Sequence, residues 1–176
     1  NIHPLQDEIT VQGALGLMYE LQEMLNAISG FAGMSLQPAA GAHGELTGVL
    51  IMKAYHADRK DSKRKKMLIP DSAHGTNPAS SAMSGFQIVQ IPSDSRGNLD
   101  IDALKEECDD TLAGLMITNP NTLGLFDENL REICNLVHEA GGLVYGDGAN
   151  LNALLGISKP AECGIDVMHF NLHKTF

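Results

Sequence analysis

The chain predicts a three-layer α/β/α domain built on a mostly parallel sheet. Three observations carry that expectation. Short apolar runs of strand length, at 67–70, 86–91, 115–118, 143–147 and 165–170, alternate with stretches of helical periodicity. The connections between runs have the length of right-handed crossovers. With 176 residues, 43% of them hydrophobic, the chain has the material for one domain with a real core.

Charge and cysteine content narrow the class. A formal net charge of -10 gives no footprint for nucleic acid. The one basic cluster, Lys63-Arg64-Lys65-Lys66, sits among Asp58, Arg59, Lys60 and Asp61 and reads as a solvated connection before a strand. Cys108, Cys134 and Cys163 are odd in number and widely spaced. They form neither a metal pattern nor a disulfide framework, so a reducing cytoplasm is expected and no metal. No apolar run has membrane-spanning length and no signal peptide is evident, so no membrane partner is expected. The first residue is Asn1 and the last, Phe176, falls two residues after a lysine of interest. A fragment of a longer polypeptide is the expectation.

Residues 7–29 have helical periodicity, with Ile9, Leu17, Leu21, Met24, Leu25 and Ile28 on one stripe and Gly30 as a stop. The methionines there read as packing residues. A short apolar segment, Gly33 to Leu36, follows. Residues 37–45 (QPAAGAHGE) then make a small-residue loop before a helical run carrying Leu46, Val49, Leu50, Ala54 and Tyr55. Small residues let backbone N–H groups approach a ligand, and a helix start adds unpaired donors and a positive dipole end. The loop therefore has the makings of a phosphate cradle, although similar loops open many helices without any ligand. Glycines at 41, 44 and 48 lack the Gly-x-Gly-x-x-Gly spacing of a dinucleotide site, and no Gly-Lys-Ser/Thr follows.

Met67 to Pro70 reads as a buried strand, followed by Asp71-Ser72-Ala73-His74-Gly75-Thr76-Asn77-Pro78, with Asn77 as helix cap and Pro78 at the first helical position. His74 falls at a strand's carboxyl end, where open α/β sheets bind ligands. It could stack on an aromatic ring or serve as a cap or core histidine. Phe86 to Ile91 is the next strand, closed by a turn over 93–98. Asp100 caps a short helix through Cys108. Leu115 to Thr118 is a buried strand running into Asn119-Pro120-Asn121-Thr122-Leu123-Gly124. Asp127 caps a helix with Leu130, Ile133, Leu136, Val137 and Ala140 on one face, ended by Gly141-Gly142. Leu143 to Asp147 is a strand with an acidic last residue, and the final apolar segment, 165–170, leads to Asn171-Leu172-His173-Lys174-Thr175-Phe176.

A lone lysine usually belongs to the solvated surface. At a strand end, though, an amine suits Schiff-base chemistry with an aldehyde. Together with Asp147, His74 and the loop at 39–44, Lys174 completes the parts of a pyridoxal 5'-phosphate site: an amine for the aldehyde, an acid for the pyridine nitrogen, a ring-stacking group and a phosphate cradle.

Three longer motifs carry a resemblance. Asp71 to Ser80 (DSAHGTNPAS), Gly146 to Ala153 (GDGANLNA) and Asn171 to Phe176 (NLHKTF), in that order and spacing, resemble the glycine-decarboxylating P-protein family of the glycine cleavage system. The wording of 119–126 (NPNTLGLF) and 37–50 (QPAAGAHGELTGVL) is similar to subunit 2 of its two-subunit bacterial form. The likeness runs from about His3 to Phe176.

The resemblance implies a fold-type I pyridoxal-phosphate enzyme, like the aspartate aminotransferases. Residues 1–176 would be part of its large cofactor-binding domain, with an N-terminal helix at about 7–29 and a core at about 33–176, the small C-terminal domain being absent. Lys174 would be the Schiff-base lysine and Asp147 the acid on the pyridine nitrogen. His74 would stack on one ring face and Ala149 pack on the other. Ala40, Gly41 and Ala42 would cradle the phosphate. His173 would lie near phosphate or substrate, and Asn119 and Thr122 would touch ring or substrate. Glycine, a lipoylated H-protein and P-protein subunit 1 are the implied partners, in a homo- or hetero-oligomer. Two other readings stay open: a different fold-type I enzyme, such as an aminotransferase or a decarboxylase of a larger amino acid, and a non-catalytic scaffold fragment. Arg59, Arg64, Arg96 and Arg131 all read as solvated, so no arginine stands out as a carboxylate clamp.

Overall fold

A computed structural model describes residues 2–176, and Asn1, the expected domain's first residue, lies outside the described residues. Five strands, β1 (Lys66–Pro70), β2 (Gln87–Ile91), β3 (Leu112–Ile117), β4 (Leu143–Gly148) and β5 (Val167–Phe170), form one sheet. Its order is β2-β1-β3-β4-β5 and every pairing is parallel. Six α-helices connect them: α1 (Gln12–Ser29), α2 (Gly41–Asp58), α3 (Thr76–Met83), α4 (Ile101–Glu107), α5 (Leu130–Glu139) and α6 (Leu172–Thr175). Among the described residues no helix is long and apolar enough to cross a membrane.

The central strands are buried on both faces, as a parallel sheet covered by helices requires. Alternation along each strand divides the core into two layers. Leu68, Leu115, Ile117 and Val144 pack with Leu104, Ile133 and Val137 of α4 and α5. Met67, Ile69, Met116 and Tyr145 pack with Val49 and Met52 of α2. The expected three-layer domain is therefore present. The chain leaves β1 toward β2, then returns to the other side of β1 as β3. That reversal makes the carboxyl ends of β1 and β3 the switch point at which such sheets form a crevice.

Several local expectations change. The N-terminal helix splits into a 3-10 turn at Glu8–Thr10, capped by Asp7, and α1, which ends at left-handed Gly30 (φ 81°). Its apolar stripe is largely solvated: Ile9, Leu17 and Met24 are exposed, and only Leu25 of the stripe is fully buried. The basic run at 63–66 is not simply a solvated loop. Arg64 is mostly covered and donates to the Leu112 and Ala140 carbonyls, tying β3 to the end of α5. Lys66 is buried and pairs with Glu107 and Asp109 at 3.0 and 2.8 Å. Asp100 does cap α4, accepting from the Asp102 and Ala103 amides. Asp127 is not the cap residue of α5: that position is Asn129, whose amide Asp127 accepts while its other oxygen takes the Leu99 amide.

Candidate active site

Every sequence-predicted site residue except the loop at 39–42 follows or ends a strand at the sheet's carboxyl edge. Asp147 is the fifth residue of β4, 7% exposed, and opposite His169 in the β4–β5 register. One of its oxygens accepts from the Ala149 amide at 3.0 Å, a bond that folds the chain back just after the strand. The other accepts from Asn77 Nδ2 at 3.0 Å. His169 Nε2 lies 3.5 Å from Asp147, and its Nδ1 is 2.6 Å from the Tyr145 hydroxyl. Burial, then the Asp147 and Glu45 carboxylates, push the Tyr145 phenol up, so it keeps its proton and donates it to His169. Burial pushes the His169 imidazolium down, against the pull of Asp147 and Glu45, and the Lys174 ammonium adds to the depression.

Asn77 is not a helix cap. The helix begins one residue earlier, at Thr76, after Gly75, and Pro78 is its third residue. The reason is chemical: Asn77 is 1% exposed and its Nδ2 bridges Asp147 to a second buried acid, Glu45, at 3.1 Å. Glu45 comes from the first turns of α2 and is 2% exposed. It also accepts from Thr76 Oγ1 at 2.8 Å and Ser80 Oγ at 2.6 Å. Glu45, His169 and Tyr145 were not singled out from sequence. A buried acid inside a helical run is the kind of polar–apolar conflict that could have flagged Glu45.

His74 follows β1, is exposed, and its Nδ1 sits 2.8 Å from Thr76 Oγ1, which in turn reaches Glu45. Ala40 is the residue before α2 and supplies no side-chain cap. Among the described residues the amides of Gly41, Ala42 and His43 have no hydrogen-bond acceptor, leaving α2's positive end open to an anion. Gly41 is required to be small: a Cβ there would come within 2.7 Å of Asn171 Oδ1. His173 and Lys174 lie in α6 immediately after β5, both exposed, and Lys174 Nζ pairs with no carboxylate among the described residues. A cavity of about 570 Å³ is lined by Ala40, Gly41, Gly44, His169 and His173, with the α1 side chains Leu21 and Leu25. It reaches the cradle but not Asp147, His74 or Lys174.

Asn119 and Thr122 stand apart from this cluster. The Asn119 side chain clasps Asp127, accepting from its amide at 2.9 Å, and Thr122 is exposed at the tip of the turn closed by Asn121. Neither faces Asp147 within hydrogen-bond distance.

Residues 48–176, most of the chain and all of β1 to α6, match the family described as aminotransferase class-V. The chain belongs to that family. Among curated relatives it is 63% identical over 175 residues to a probable glycine dehydrogenase (decarboxylating) subunit 2 of Caldanaerobacter subterraneus subsp. tengcongensis, covering 99% of this chain and 36% of that protein. It is 58% identical to a protein of the same description from Pyrococcus abyssi, again over 99% of this chain and 35% of the relative. The chain thus spans about a third of the length of the relatives it matches. Among solved structures, the fold overlays on a glycine decarboxylase (P-protein) of the glycine cleavage system in inhibitor-bound form with TM-score 0.78 at 22% identity, over 97% of this chain and 37% of that one. A NifS-like protein overlays with TM-score 0.73 at 15% identity, over 97% and 47%. These structural likenesses bear on the fold.

Proposed function

We propose that the chain carries the pyridoxal 5'-phosphate site of an enzyme that decarboxylates glycine and passes the remaining aminomethyl group to the lipoyl group of an H-protein, working with a partner subunit. The observation that carries the reading is the placement of a buried acid, Asp147, near the end of β4 and of Lys174 just after the adjacent parallel strand β5, both at the sheet's carboxyl edge. The shared description of the relatives supports glycine as substrate and subunit 2 as the role.

The residues present fit the cofactor. Among the described residues four buried side-chain atoms lack partners, and three of them, Asn77 Oδ1, Thr118 Oγ1 and Thr175 Oγ1, lie at the edge where Asp147 and Lys174 stand. Buried polar atoms are rarely left unpaired, so their gathering at one edge marks a place built to meet a polar ligand. The uncapped start of α2 offers amides to a phosphate.

When bound, pyridoxal phosphate supplies an aldehyde for the substrate amine and an electron-accepting ring for the charge left as carbon dioxide departs. The Gly41 and Ala42 amides, with Ala40 holding the turn, would bind the phosphate. Lys174 Nζ would hold the aldehyde and, when free, could carry a proton. Asp147 would favour the charged form of the ring nitrogen, as a carboxylate beside a heteroaromatic nitrogen does. His74 and Ala149 would help confine the ring, and His173 would stand near the phosphate. Asn119 holds Asp127 and Thr122 lies exposed, so neither is assigned a contact with the cofactor.

The test is an absorbance titration with pyridoxal phosphate, then borohydride reduction and peptide mapping. A reduced adduct confined to Lys174, with a spectrum perturbed by glycine ahead of larger amino acids, is expected. Label spread over surface lysines such as Lys60 and Lys63 would refute the site. A spectrum that answers to a larger amino acid and ignores glycine would refute the substrate.

A further inference from the structure

Two carboxylates are buried at one end of this sheet, and the mechanism above uses only one. One acceptor atom from each of Glu45, Asp147 and His169 lies within 4.8 Å of the others. Like charges so close in a covered site disfavour one another unless a positive charge or proton joins them. Glu45 is held by three side chains of α3, its oxygens accepting from Thr76 Oγ1, Asn77 Nδ2 and Ser80 Oγ. The single Asn77 amide group serves both acids, one hydrogen to each, at 3.1 and 3.0 Å.

We propose that Glu45 is a positioning residue for the cofactor ring: joined to Asp147 through Asn77, it adds a second negative charge behind that acid and so raises the proton affinity of the ring nitrogen that Asp147 faces. This rests on the reading that Asp147 meets the ring nitrogen of pyridoxal phosphate. Asp147 alone would favour a protonated ring. Glu45 deepens the same negative potential from the α2 side without touching the ring. The groups around Asp147 are few. Glu45 faces it from α2, neutral Asn77 from α3 and His169 from β5, with Tyr145 behind His169. Lys174 acts from α6, and burial holds His169 toward its neutral form against the pull of both acids. His169 is therefore a poor counterion for the pair of acids, and a protonated ring nitrogen is the cation that the cluster suits. His74 is linked to Glu45 only through the Thr76 hydroxyl.

The experiment follows ring-nitrogen protonation directly, by ¹⁵N NMR of the full-length protein loaded with ¹⁵N-labelled pyridoxal phosphate and titrated with pH. Glu45→Gln keeps the side chain's shape and removes its charge. It is expected to lower the pH at which the ring nitrogen loses its proton by about one unit or more, the size of effect expected from one charge a few ångströms further off in a partly polar interior. Glu45→Asp keeps the charge while shortening the side chain and disturbing its packing, and is expected to leave that titration close to the parent's. A merely structural role for Glu45 would move both variants downward together, which overturns the proposal, as does an unshifted titration in Glu45→Gln. Should Glu45→Gln fail to fold, Glu45→Ala takes its place beside Glu45→Asp: a fall in Glu45→Ala alone supports the idea, and equal titrations in the two overturn it. Borohydride mapping separates the two levels. An adduct on Lys174 without the Glu45 effect removes only this inference, whereas no adduct on Lys174 removes the cofactor reading and this inference with it.

Discussion

Replacing Gly48 with alanine should destabilise the protein, against the ordinary helix preference. Gly48 lies inside α2, where alanine favours the helix by about 0.8–1.0 kcal/mol. A Cβ at this site would come 2.4 Å from Tyr145 Cε2 and 3.1 Å from Val167 Cγ1. To restore ordinary contact the rigid ring must retreat by roughly 1 Å. Tyr145 is fully buried and its hydroxyl is held 2.6 Å from His169, so the ring has nowhere free to go. Overpacking of a filled core costs about 1–3 kcal/mol, and a backbone-fixed methyl against an aromatic edge belongs in the upper half of that range. The balance is a loss of about 1–2 kcal/mol once the helix gain is subtracted. With a urea m-value of about 2 kcal/mol/M, the midpoint should fall by roughly 0.5–1 M at unchanged slope. The same substitution made in a Tyr145→Leu background, where the ring edge is gone, should cost much less, a coupling that a double-mutant cycle measures. Equal costs in the two backgrounds, or a Gly48→Ala protein as stable as the parent, would refute the clash.

Three other outcomes follow from the same geometry. Asp147→Asn should slow glycine decarboxylation at least tenfold while changing pyridoxal phosphate affinity far less, since it keeps the side chain's shape and removes its charge; equal losses in kcat and in cofactor affinity would count against an electronic role. Lys66 and the Thr111 hydroxyl and amide hold the Asp109 carboxyl well below the usual carboxylate range. A group depressed in the folded state stabilises above its unfolded value, near 3.9, and that contribution disappears as pH falls through the folded value. Lys66→Met should therefore trail the parent in denaturant midpoint at pH 5 and close part of the gap by about pH 2, and a gap independent of pH would contradict the pairing. Burial, aided by the Asp166 carboxylate, pushes the Cys134 thiol up to about 12. In the folded protein at pH 8 a thiol reagent should modify Cys108 and Cys163 well before Cys134, and denaturant should abolish the difference; early labelling of Cys134 in the folded state would show that its cover opens.

The strands were legible because their signal is local. Met67–Ile69, Leu115–Ile117 and Val144 are apolar runs bounded by turn residues, and a parallel sheet covered on both faces needs such runs. The positions of Asp147 and Lys174 at the ends of strands were legible for a related reason, as charged residues closing apolar segments. What could not be read was which polar residues meet across the fold. Asn77 and Glu45 are 32 positions apart, and Asn77 and Asp147 are 70 apart. In sequence Asn77 before Pro78 looks like a cap; in the fold the pull of two buried acids outweighs that local preference. Arg64 and Lys66 were hidden in the same way, since a basic run looks solvated until the carbonyls and carboxylates of distant segments arrive beside it.

Helix α2 shows why the second acid escaped a periodicity reading. Apolar spacing favours a stripe through Leu46, Val49, Leu50, Ala54 and Tyr55, yet Leu50, Ala54 and Tyr55 are exposed. The inward line is Glu45, Gly48, Val49, Met52 and His56, rotated from the expected one. Only its middle is apolar. At its far end His56 is satisfied by the Ala113 carbonyl at 2.8 Å, and at its start Glu45 is satisfied by Thr76, Asn77 and Ser80 of α3. A buried polar group without partners would destabilise the helix's docking, so each position is tolerated only because another element supplies the partner. Gly48 completes the arrangement, its missing side chain letting Tyr145 lie against the helix. The same face of α2 thus sets the Tyr145 ring and the Glu45 carboxylate joined to Asp147 through Asn77, while its uncapped start leaves amides free. One helix couples three parts of the site, and a change in its seating should be felt at all of them together.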